Sequence, residues 1–495
     1  MTQFKVLLIN CNTMLDTLVT AGIGILSACL KEAGNEVQVF DTTFYRTAEV
    51  TGDEARAAAL QVKETSFTDL GIEPEAGDVV EDFAATVASW QPDLIGLSSI
   101  EVTHTLGLRL LEAVRESGIP TVVGGPYATF APEIVIRHPA VDMVCVGEGE
   151  SALVELCDKL AKGEELKRIA NLWVEQDGHV YKNPVRAPID LATLPRQDWS
   201  VYDSRRFWKP MGGKMSVTGT FEMNRGCPYT CSFCINSGLE KIYGDIGGYY
   251  REQDVERLVD EMAEKKEQYN LAYVYLVAES FLTTARERVR SFGRLYREKV
   301  GLPFWVEARP ESITPDKIEV LTEIGCEGIS IGVESGNFEL RKTILGRNVQ
   351  DKTIIRAFEL LRETGIRVSA NNIIGFPTET REMIFDTIRL DRELQPDGVM
   401  VSFFSPYKGA TLREMCQDLG YIEDDEIAED YRLGPTMDMP QLSAKELVGL
   451  HRTFPLYVKF PEAEWPQIRI AEADTAEGNA AFQEYSERYT RQFMS

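Results

Sequence analysis

Continuous apolar runs alternate with amphipathic stretches along the first part of the chain. Runs without polar alternation are typical of strands that are buried on both faces. They predict strands at residues 4–9, 36–40, 93–98, 121–123 and 141–146. The stretches between them predict helices, among them 21–31 and 105–116. This order predicts a parallel sheet covered by helices, an α/β domain at residues 1–160.

Glycines follow two of these predicted strands. Gly124-Gly125-Pro126 comes after the fourth strand, and Gly147-Glu148-Gly149-Glu150 comes after the fifth. In open α/β sheets, ligands bind outside the carboxyl ends of the strands. The first domain is therefore predicted to be a Rossmann-like cofactor-binding domain, although the fold alone fixes no ligand.

Residues 161–215 are less regular and predict a connecting segment. Asp177-Gly178 predicts a hairpin turn between the apolar runs 172–174 and 179–181. The longer elements are interrupted by four prolines, Pro184, Pro188, Pro195 and Pro210.

Strand and helix patterns resume over residues 216–410. Six β-rich runs stand at 221–223, 273–277, 304–308, 328–333, 367–374 and 399–404. Apolar positions at helical spacing lie between them, namely Val255, Leu258, Val259, Met262 and Ile354, Ala357, Phe358, Leu361. Thr314-Pro315 predicts a helix start. Six βα units predict a partial (β/α)6 TIM-like barrel, in which chemistry gathers at the carboxyl ends of the strands.

The last part of the chain, residues 411–495, predicts a small, mostly helical C-terminal region. It is polar, and residues 423–426 form an acidic patch that we interpret as a solvated surface.

Composition and charge narrow the class of protein. The chain has 495 residues, of which 44% are hydrophobic and 26% charged, which excludes a disordered or fibrous protein. Lys and Arg number 52 against 78 Asp and Glu, and the net charge of −26 repels phosphate backbones, so no nucleic-acid binding is expected. The longest apolar stretches, such as 21–30, are too short to span a bilayer, and the start lacks a signal-peptide layout. A cytoplasmic protein without a membrane span is expected.

Three of the nine cysteines lie close together, directly after the first barrel strand. Cys227, Cys231 and Cys234 have the spacing Cys-x3-Cys-x2-Cys. Three thiolates can each ligate one iron of a [4Fe–4S] cube and leave the fourth iron for an outside ligand. A zinc site or reduced, unused thiols are the alternatives. A structural zinc site needs four ligands, and the nearest histidine in sequence, His179, is far away, so the cluster is favoured.

This cysteine motif, with the aromatic Phe233 before its last cysteine, resembles the radical S-adenosylmethionine (SAM) superfamily, and the resemblance covers residues 215–410. It implies that the three cysteines hold the cluster and that SAM chelates the open iron. Transfer of an electron from a donor such as flavodoxin or ferredoxin then cleaves SAM to methionine and a 5′-deoxyadenosyl radical, which abstracts a substrate hydrogen.

The resemblance also implies SAM-contacting residues at the ends of the later barrel strands. Glu279 stands where relatives often carry a Gly-Gly-Glu turn that meets the methionine amino group, although the glycines are absent here. The SAM-binding set implied in this way is Phe233, Glu279, Arg309, Glu334, Ser335 and Gly375. Structural ion pairs are the alternative role for Arg309, Glu311 and Arg341.

With such a barrel behind it, the first domain resembles the cobalamin-binding domain of the cobalamin-dependent radical SAM enzymes. The implied cobalamin-binding residues are Met14, Ser98, Ser99, Gly124, Gly125, Pro126, Tyr127, Gly147, Glu148 and Gly149. Cobalamin enzymes with a histidine lower ligand carry Asp-x-His-x-x-Gly after the first strand, but residues 10–18 contain no histidine. We therefore expect base-off cobalamin without a histidine ligand, and candidates to lie near its lower face are Cys11, Met14, His104 and Tyr127. A relic domain that binds nothing is the alternative.

The combined resemblance implies a C-methyltransferase that methylates an unactivated carbon with methylcobalamin and a 5′-deoxyadenosyl radical. Such chemistry needs no general base, and no catalytic side chain is predicted. A cyclase, a ring-rearranging enzyme or a lipid-modifying enzyme of the same architecture is the main alternative. Methylthio transfer needs a second cluster, for which the other cysteines are too scattered, and a cobalamin sensor is the non-enzyme alternative. The substrate stays open between a small molecule, a peptide and a protein side chain.

Overall fold

A computed structural model describes residues 3–494. The chain forms two compact units. The N-terminal unit holds the residues up to Thr51, with Ser66–Trp208 and Gly238–Arg251. The barrel unit holds Gly52–Thr65, Lys209–Ser237 and the residues from Glu252 onward. Of the helices in the described range, none is both long enough and apolar enough to cross a membrane.

The strands and helices are numbered along the chain. The strands are β1 (Lys5–Asn10), β2 (Glu36–Asp41), β3 (Leu94–Ser98), β4 (Thr121–Gly124), β5 (Met143–Cys145), β6 (Leu172–Gln176), β7 (His179–Lys182), β8 (Trp208–Met211), β9 (Lys214–Glu222), β10 (Asn224–Arg225), β11 (Arg251–Glu252), β12 (Tyr273–Val277), β13 (Phe304–Ala308), β14 (Cys326–Glu334), β15 (Arg367–Ile374) and β16 (Gly398–Phe403). The helices are α1 (Ala21–Glu32), α2 (Gly52–Ala58), α3 (Val79–Trp90), α4 (Glu101–Val114), α5 (Pro126–Phe130), α6 (Pro132–Val135), α7 (Glu150–Lys162), α8 (Asn236–Tyr243), α9 (Val255–Tyr269), α10 (Arg286–Lys299), α11 (Pro315–Glu323), α12 (Asp351–Arg362), α13 (Arg381–Leu394), α14 (Leu412–Asp418), α15 (Ala444–Lys459), α16 (Trp465–Ala471) and α17 (Ala476–Phe493).

The N-terminal unit is built on one sheet of order β2-β1-β3-β4-β5-β6-β7. Strands β1 to β5 pair in parallel, and these are the five strands expected from the apolar runs. The hairpin expected at Asp177-Gly178 is confirmed, with φ values of +57° and +74° at its two turn residues. Its strands do not stand apart in a connecting segment, because β6 pairs antiparallel to β5 and extends the sheet.

The barrel unit contains a second sheet of order β16-β15-β14-β13-β12-β9-β8. Strands β9 and β12 to β16 are parallel, which confirms the partial (β/α)6 barrel. The first barrel strand, β9, is longer than the expected 221–223. It is preceded by β8, and the two-residue turn Gly212-Gly213 joins the two strands.

The helices of the barrel unit bury the apolar stripes that the spacing predicts. On α12 the buried residues are Ile354, Ala357, Phe358 and Leu361. Helix α11 begins at Pro315, as expected, but the Thr314 hydroxyl donates to the Asp316 carboxylate and makes no hydrogen bond to the helix backbone.

The C-terminal region is mostly helical, but its interpretation as polar is wrong for α15. Most residues of this helix are buried, among them Leu450, Phe454 and Tyr457. It packs against β16 and α13, and its side chains join the large apolar core of the barrel unit. The acidic residues 423–426 are exposed in the loop before it.

Candidate active site

The cysteine loop begins directly after β10. Gly226 precedes Cys227 and has φ +80°, a left-handed conformation that glycine adopts without steric cost. Two nitrogen donors reach the sulfurs of the loop: Arg309 Nη1 donates to Cys231 Sγ over 3.1 Å, and Asn236 Nδ2 donates to Cys234 Sγ over 3.4 Å. Such contacts stabilise the thiolate form that binds metal.

Burial disfavours the thiolate form of two of the three thiols. Burial raises the pKa of Cys227, and it raises the pKa of Cys234 to about 12; the nearby Glu279 and Cys231 act in the same direction. A bound cation would favour the thiolate form of these two thiols. Across residues 3–494, no three His, Cys, Asp or Glu side chains are arranged to hold a single metal ion. A [4Fe–4S] cube does not require such an arrangement, because its cysteines bind separate irons.

Ser232 fixes the cysteine loop to two distant segments, a role that the sequence did not indicate. Its hydroxyl donates to the carbonyl oxygen of Ile344, and its N–H donates to the carbonyl oxygen of Leu345 over 3.2 Å. Its own carbonyl oxygen accepts from the N–H of Leu412 over 2.8 Å. The loop is thus braced by the segment after β14 and by the start of α14.

The residues expected to contact SAM lie at the carboxyl ends of the parallel strands or in the cysteine loop. Glu279 follows β12, and Phe233 stands 6.1 Å from Phe376, ring centroid to ring centroid. Ser335 follows β14 and is fully buried. Gly375 follows β15 with φ +90°. This edge of the sheet therefore gathers the chemistry-bearing side chains, as expected for a barrel.

Several side chains that were expected to have either a SAM-binding or a structural role form ion pairs. Arg309 pairs with Glu311 over 2.6 Å and lies 3.8 Å from the centre of the Tyr229 ring. Arg341 pairs with Asp351. The structural role considered for these arginines is therefore present, and Arg309 combines it with its contact to Cys231.

Glu334 ends β14 and combines a strained backbone with an ion pair. Its φ is +66°, which is unusual for a residue other than glycine. Its carboxylate pairs over 2.5 Å with Arg347, whose Nη2 also donates to the carbonyl oxygen of Gly332. Arg347 was missed because nothing in the local pattern distinguishes it from a surface arginine.

One face of the barrel sheet carries partly exposed side chains, which differs from the packed interior of a closed TIM barrel. On β13, Phe304, Val306 and Ala308 are buried, whereas Trp305 and Glu307 are partly exposed on the other face. The same alternation holds for β16. The partly exposed residues are therefore available to a bound molecule.

Small residues shape the strand ends of the N-terminal unit. Gly125 has φ +99°, and a side chain there would meet the Ser99 carbonyl oxygen at 2.5 Å. At Gly124 a Cβ would meet only Cys145, at 3.6 Å, so the backbone is open beside it. Glycine at position 125 thus permits the close approach of the Ser99 backbone, whereas the space beside Gly124 could receive part of a cofactor.

The candidates for the lower face of cobalamin are engaged with the protein. The Ser99 hydroxyl lies 3.2 Å from His104 Nδ1, and the His104 and Tyr127 rings are tilted by 45° with their centroids 4.5 Å apart. Burial lowers the pKa of His104 to about 4, so this ring is neutral at pH 7. Cys11 Sγ donates to the Thr103 carbonyl oxygen over 3.2 Å, and Met14 is buried.

The loop after β5 is held by the segment that returns to this unit. The Glu148 N–H donates to the Tyr243 hydroxyl over 2.9 Å, and the Glu148 carboxylate pairs with Arg251 over 2.5 Å. A side chain at Gly147 would collide with the same tyrosine hydroxyl. Of the other residues expected to bind cobalamin, Ser98 ends β3, Pro126 begins α5 and Gly149 precedes α7.

Comparison with known proteins agrees with this division of the chain. The B12 binding domain matches residues 8–157, and the radical SAM superfamily matches residues 221–390. An uncharacterised methyltransferase of Pyrococcus horikoshii is 28% identical over 67% of this chain and 71% of its own. An anaerobic magnesium-protoporphyrin IX monomethyl ester cyclase of Rubrivivax gelatinosus is 24% identical over 72% of this chain and 64% of its own.

Solved structures show the same fold. The radical SAM methyltransferase TsrM of Kitasatospora setae, with cobalamin and a [4Fe–4S] cluster bound, has a TM-score of 0.65 at 16% identity and covers 99% of this chain and 100% of its own. The two family models together match more than half of the chain, in the order that the fold and the cysteine loop require. The protein therefore belongs to the cobalamin-dependent radical SAM enzymes, resembles the methyltransferases among them, and uses a [4Fe–4S] cluster, SAM and cobalamin.

Proposed function

We propose that this enzyme methylates an unactivated carbon of its substrate. The observation that carries the proposal is that one chain combines a thiol loop braced for a cluster with a sheet domain that matches the B12 binding domain. One fold thereby provides for making a radical and for carrying a methyl group.

When bound, the cluster would supply the electron that splits one SAM into methionine and a 5′-deoxyadenosyl radical, and cobalamin would supply the carrier for the methyl group of a second SAM. The overall reaction replaces one substrate C–H bond with a C–CH3 bond. The hydrogen leaves in 5′-deoxyadenosine, the second SAM becomes S-adenosylhomocysteine, and an external donor supplies two electrons. We propose flavodoxin or ferredoxin in the cytoplasm as that donor.

The residues of the chain position these groups and exclude water. We propose that the cluster is held by Cys227, Cys231 and Cys234, with Arg309 and Asn236 stabilising two of the thiolates. SAM is proposed to lie along the strand ends marked by Glu279, Glu334 and Gly375, and cobalamin along those marked by Ser99, Gly125 and Gly149.

The products distinguish this function from the alternatives. Protein reconstituted without oxygen is mixed with SAM, cobalamin and a one-electron reductant, and the nucleoside products are measured by mass spectrometry. We expect both 5′-deoxyadenosine and S-adenosylhomocysteine, the latter only when cobalamin is present. Formation of 5′-deoxyadenosine without S-adenosylhomocysteine would reject methyl transfer.

A cyclase is the second candidate, and the relative from Rubrivivax gelatinosus favours it. A cyclase consumes SAM only through the radical branch, so it predicts that outcome of the same experiment.

A further inference from the structure

A positive charge lies against one of the three sulfurs of the cysteine loop. Arg309 follows β13, and its Nη1 donates to Cys231 Sγ over 3.1 Å. Cys231 is buried, whereas Cys227 and Cys234 are partly exposed. Because solvent and salt screen a buried contact less than an exposed one, the charge of Arg309 acts strongly on this sulfur.

Glu311 and Tyr229 hold the guanidinium in this position. Glu311 Oε1 accepts from Arg309 Nε over 2.6 Å and lies 2.6 Å from its Nη2. The centre of the Tyr229 ring lies 3.8 Å from the central carbon of the guanidinium. These contacts engage two of the three nitrogens and one face of the group, and the third nitrogen, Nη1, is the one that reaches the sulfur. The position of the charge is therefore fixed by contacts within the barrel unit.

The backbone of Arg309 is fixed as well. Its carbonyl oxygen accepts from the Ser312 hydroxyl over 2.7 Å and from the Ser312 N–H over 3.0 Å. A guanidinium does not lose its proton in a folded protein. The sulfur of Cys231 is thus exposed to a permanent positive charge at a fixed place.

Such a charge has a definite effect on the redox chemistry of an iron–sulfur cluster. Reduction adds one electron, and hence one negative charge, to the cluster. A positive charge at a ligand sulfur stabilises the reduced form more than the oxidised form, so it raises the reduction potential. Asn236, which donates to Cys234 Sγ over 3.4 Å, is neutral, and a hydrogen bond from a neutral donor has a smaller effect than one from a charged donor.

We propose that Arg309 raises the reduction potential of the cluster through Cys231, and that Glu311 holds the guanidinium in place and offsets part of its charge. The inference rests on the proposed function, because it takes Cys231 as a ligand of the cluster. The potential sets how readily an external one-electron donor reduces the cluster before the electron passes to SAM. This role differs from the SAM contact that the sequence resemblance implies for Arg309.

The midpoint potential of the cluster tests the inference directly. Anaerobically reconstituted protein is titrated with dithionite and redox mediators in the absence of SAM, and the reduced cluster is measured by electron paramagnetic resonance. At the wild-type midpoint, we expect the ratio of reduced to oxidised cluster in R309Q to be about tenfold lower, a shift of about 59 mV to more negative potential for one electron. A midpoint of R309Q equal to that of the wild type, or more positive, would overturn the proposal.

Further variants assign the effect to the charge at this position. R309K keeps a positive charge and is expected to shift the midpoint less than R309Q does. R294Q removes an exposed arginine of α10, whose charge solvent screens, and is expected to keep the wild-type midpoint. A shift in R294Q as large as that in R309Q would contradict the assignment to Arg309.

E311Q tests the pair from the other side and does not depend on R309Q retaining its cluster. Glutamine keeps a side-chain oxygen that accepts from the guanidinium but removes the negative charge, so the midpoint is expected to move to more positive potential. An unchanged or more negative midpoint in E311Q would contradict the proposal. Iron content per chain shows which variants hold the cluster, and the E311Q shift decides if R309Q holds none.

The same samples separate this inference from SAM binding and from methyl transfer. If Arg309 served only to bind SAM, R309Q would weaken SAM binding and keep the wild-type midpoint, and this result would overturn the inference. A shifted midpoint in R309Q, together with a wild-type enzyme that forms no S-adenosylhomocysteine, would reject methyl transfer alone. S-adenosylhomocysteine formation by the wild type, together with an unshifted midpoint in R309Q, would reject the present inference alone.

Discussion

Glu379 is a buried carboxylate four residues after the turn at Gly375. It is fully buried, and its Oε2 accepts from the N–H groups of Gly375 over 2.6 Å and Phe376 over 3.3 Å. Its other carboxyl oxygen is buried without a hydrogen-bond partner. Burial raises its pKa to about 8, although both N–H groups act in the opposite direction. The side chain is therefore protonated in the folded protein at pH 7.

This raised pKa gives a pH dependence of stability with a definite sign. Because the folded state binds the proton more tightly than the unfolded state, the contribution is complete below the ordinary pKa of 4.5 and is lost as pH rises through about 8. We expect the melting temperature of the wild type to fall between about pH 6 and about pH 8.5, a change that E379Q reduces because the amide carries no titrating proton. One pKa unit corresponds to about 1.4 kcal/mol, so the difference is measurable by thermal melting.

The comparison of the wild type with E379Q isolates the titration of the Glu379 carboxyl group. Asp391, whose pKa burial raises to about 7, contributes with the same sign in both proteins and cancels. Parallel pH profiles for the wild type and E379Q would contradict the assignment.

The cysteine loop is held as an element by contacts that are distant in sequence. Ser232 is 112 positions from Ile344, to whose carbonyl oxygen its hydroxyl donates. Thr230, two positions before it, is exposed. The two side chains therefore offer a matched pair for testing whether the brace matters to the cluster.

We expect S232A to lose iron to a chelator about fivefold faster than the wild type, since one hydrogen bond contributes about 1 kcal/mol. T230A is expected to lose iron at the wild-type rate. The measurement is the decay of cluster absorbance under anaerobic chelation. Equal rates for S232A and T230A would show that the hydroxyl does not hold the loop.

The separation of contacting residues along the sequence also explains which elements could be predicted. Buried strands and helices leave a local period of two or 3.6 residues, so the parallel strands of both sheets and the stripes of α9 and α12 could be predicted. The transfer of Gly52–Thr65 to the barrel unit and the burial of α15 leave no such trace. The first depends on contacts between segments hundreds of residues apart, such as that of Gln61 with Val401, and the second depends on the packing of α15 against β16 and α13.

In the candidate site, too, the features with a local sequence signal could be predicted, and the contacts between distant residues could not. Cysteine spacing is a local signal, and it placed Cys227, Cys231 and Cys234 in one loop. Donors such as Arg309 and Arg347 reach acceptors that are 78 and 13 positions away in the sequence. A single sequence shows only their residue types, which occur equally on surfaces.

At the scale of the whole molecule, the two cofactor functions belong to different compact units. The cysteines proposed to hold the cluster lie in the barrel unit, and the residues expected to bind cobalamin lie in the N-terminal unit, which has its own sheet and its own apolar core. Side chains in separate cores act nearly independently on stability and binding. Loss of one cofactor therefore need not remove the other.

Replacing one cysteine tests this independence. We expect C227A to form no 5′-deoxyadenosine, because two thiolates leave the cluster incompletely held, yet to bind cobalamin with an affinity within about twofold of the wild type. Absorbance titration with cobalamin and product analysis after reduction measure the two properties on the same sample. C29A, which removes a partly exposed cysteine of α1, is the control and is expected to keep both. If C227A lost cobalamin binding as well, the two sites would be coupled through the fold; if it kept SAM cleavage, the cluster would be held elsewhere, and the assignment of this loop would be wrong.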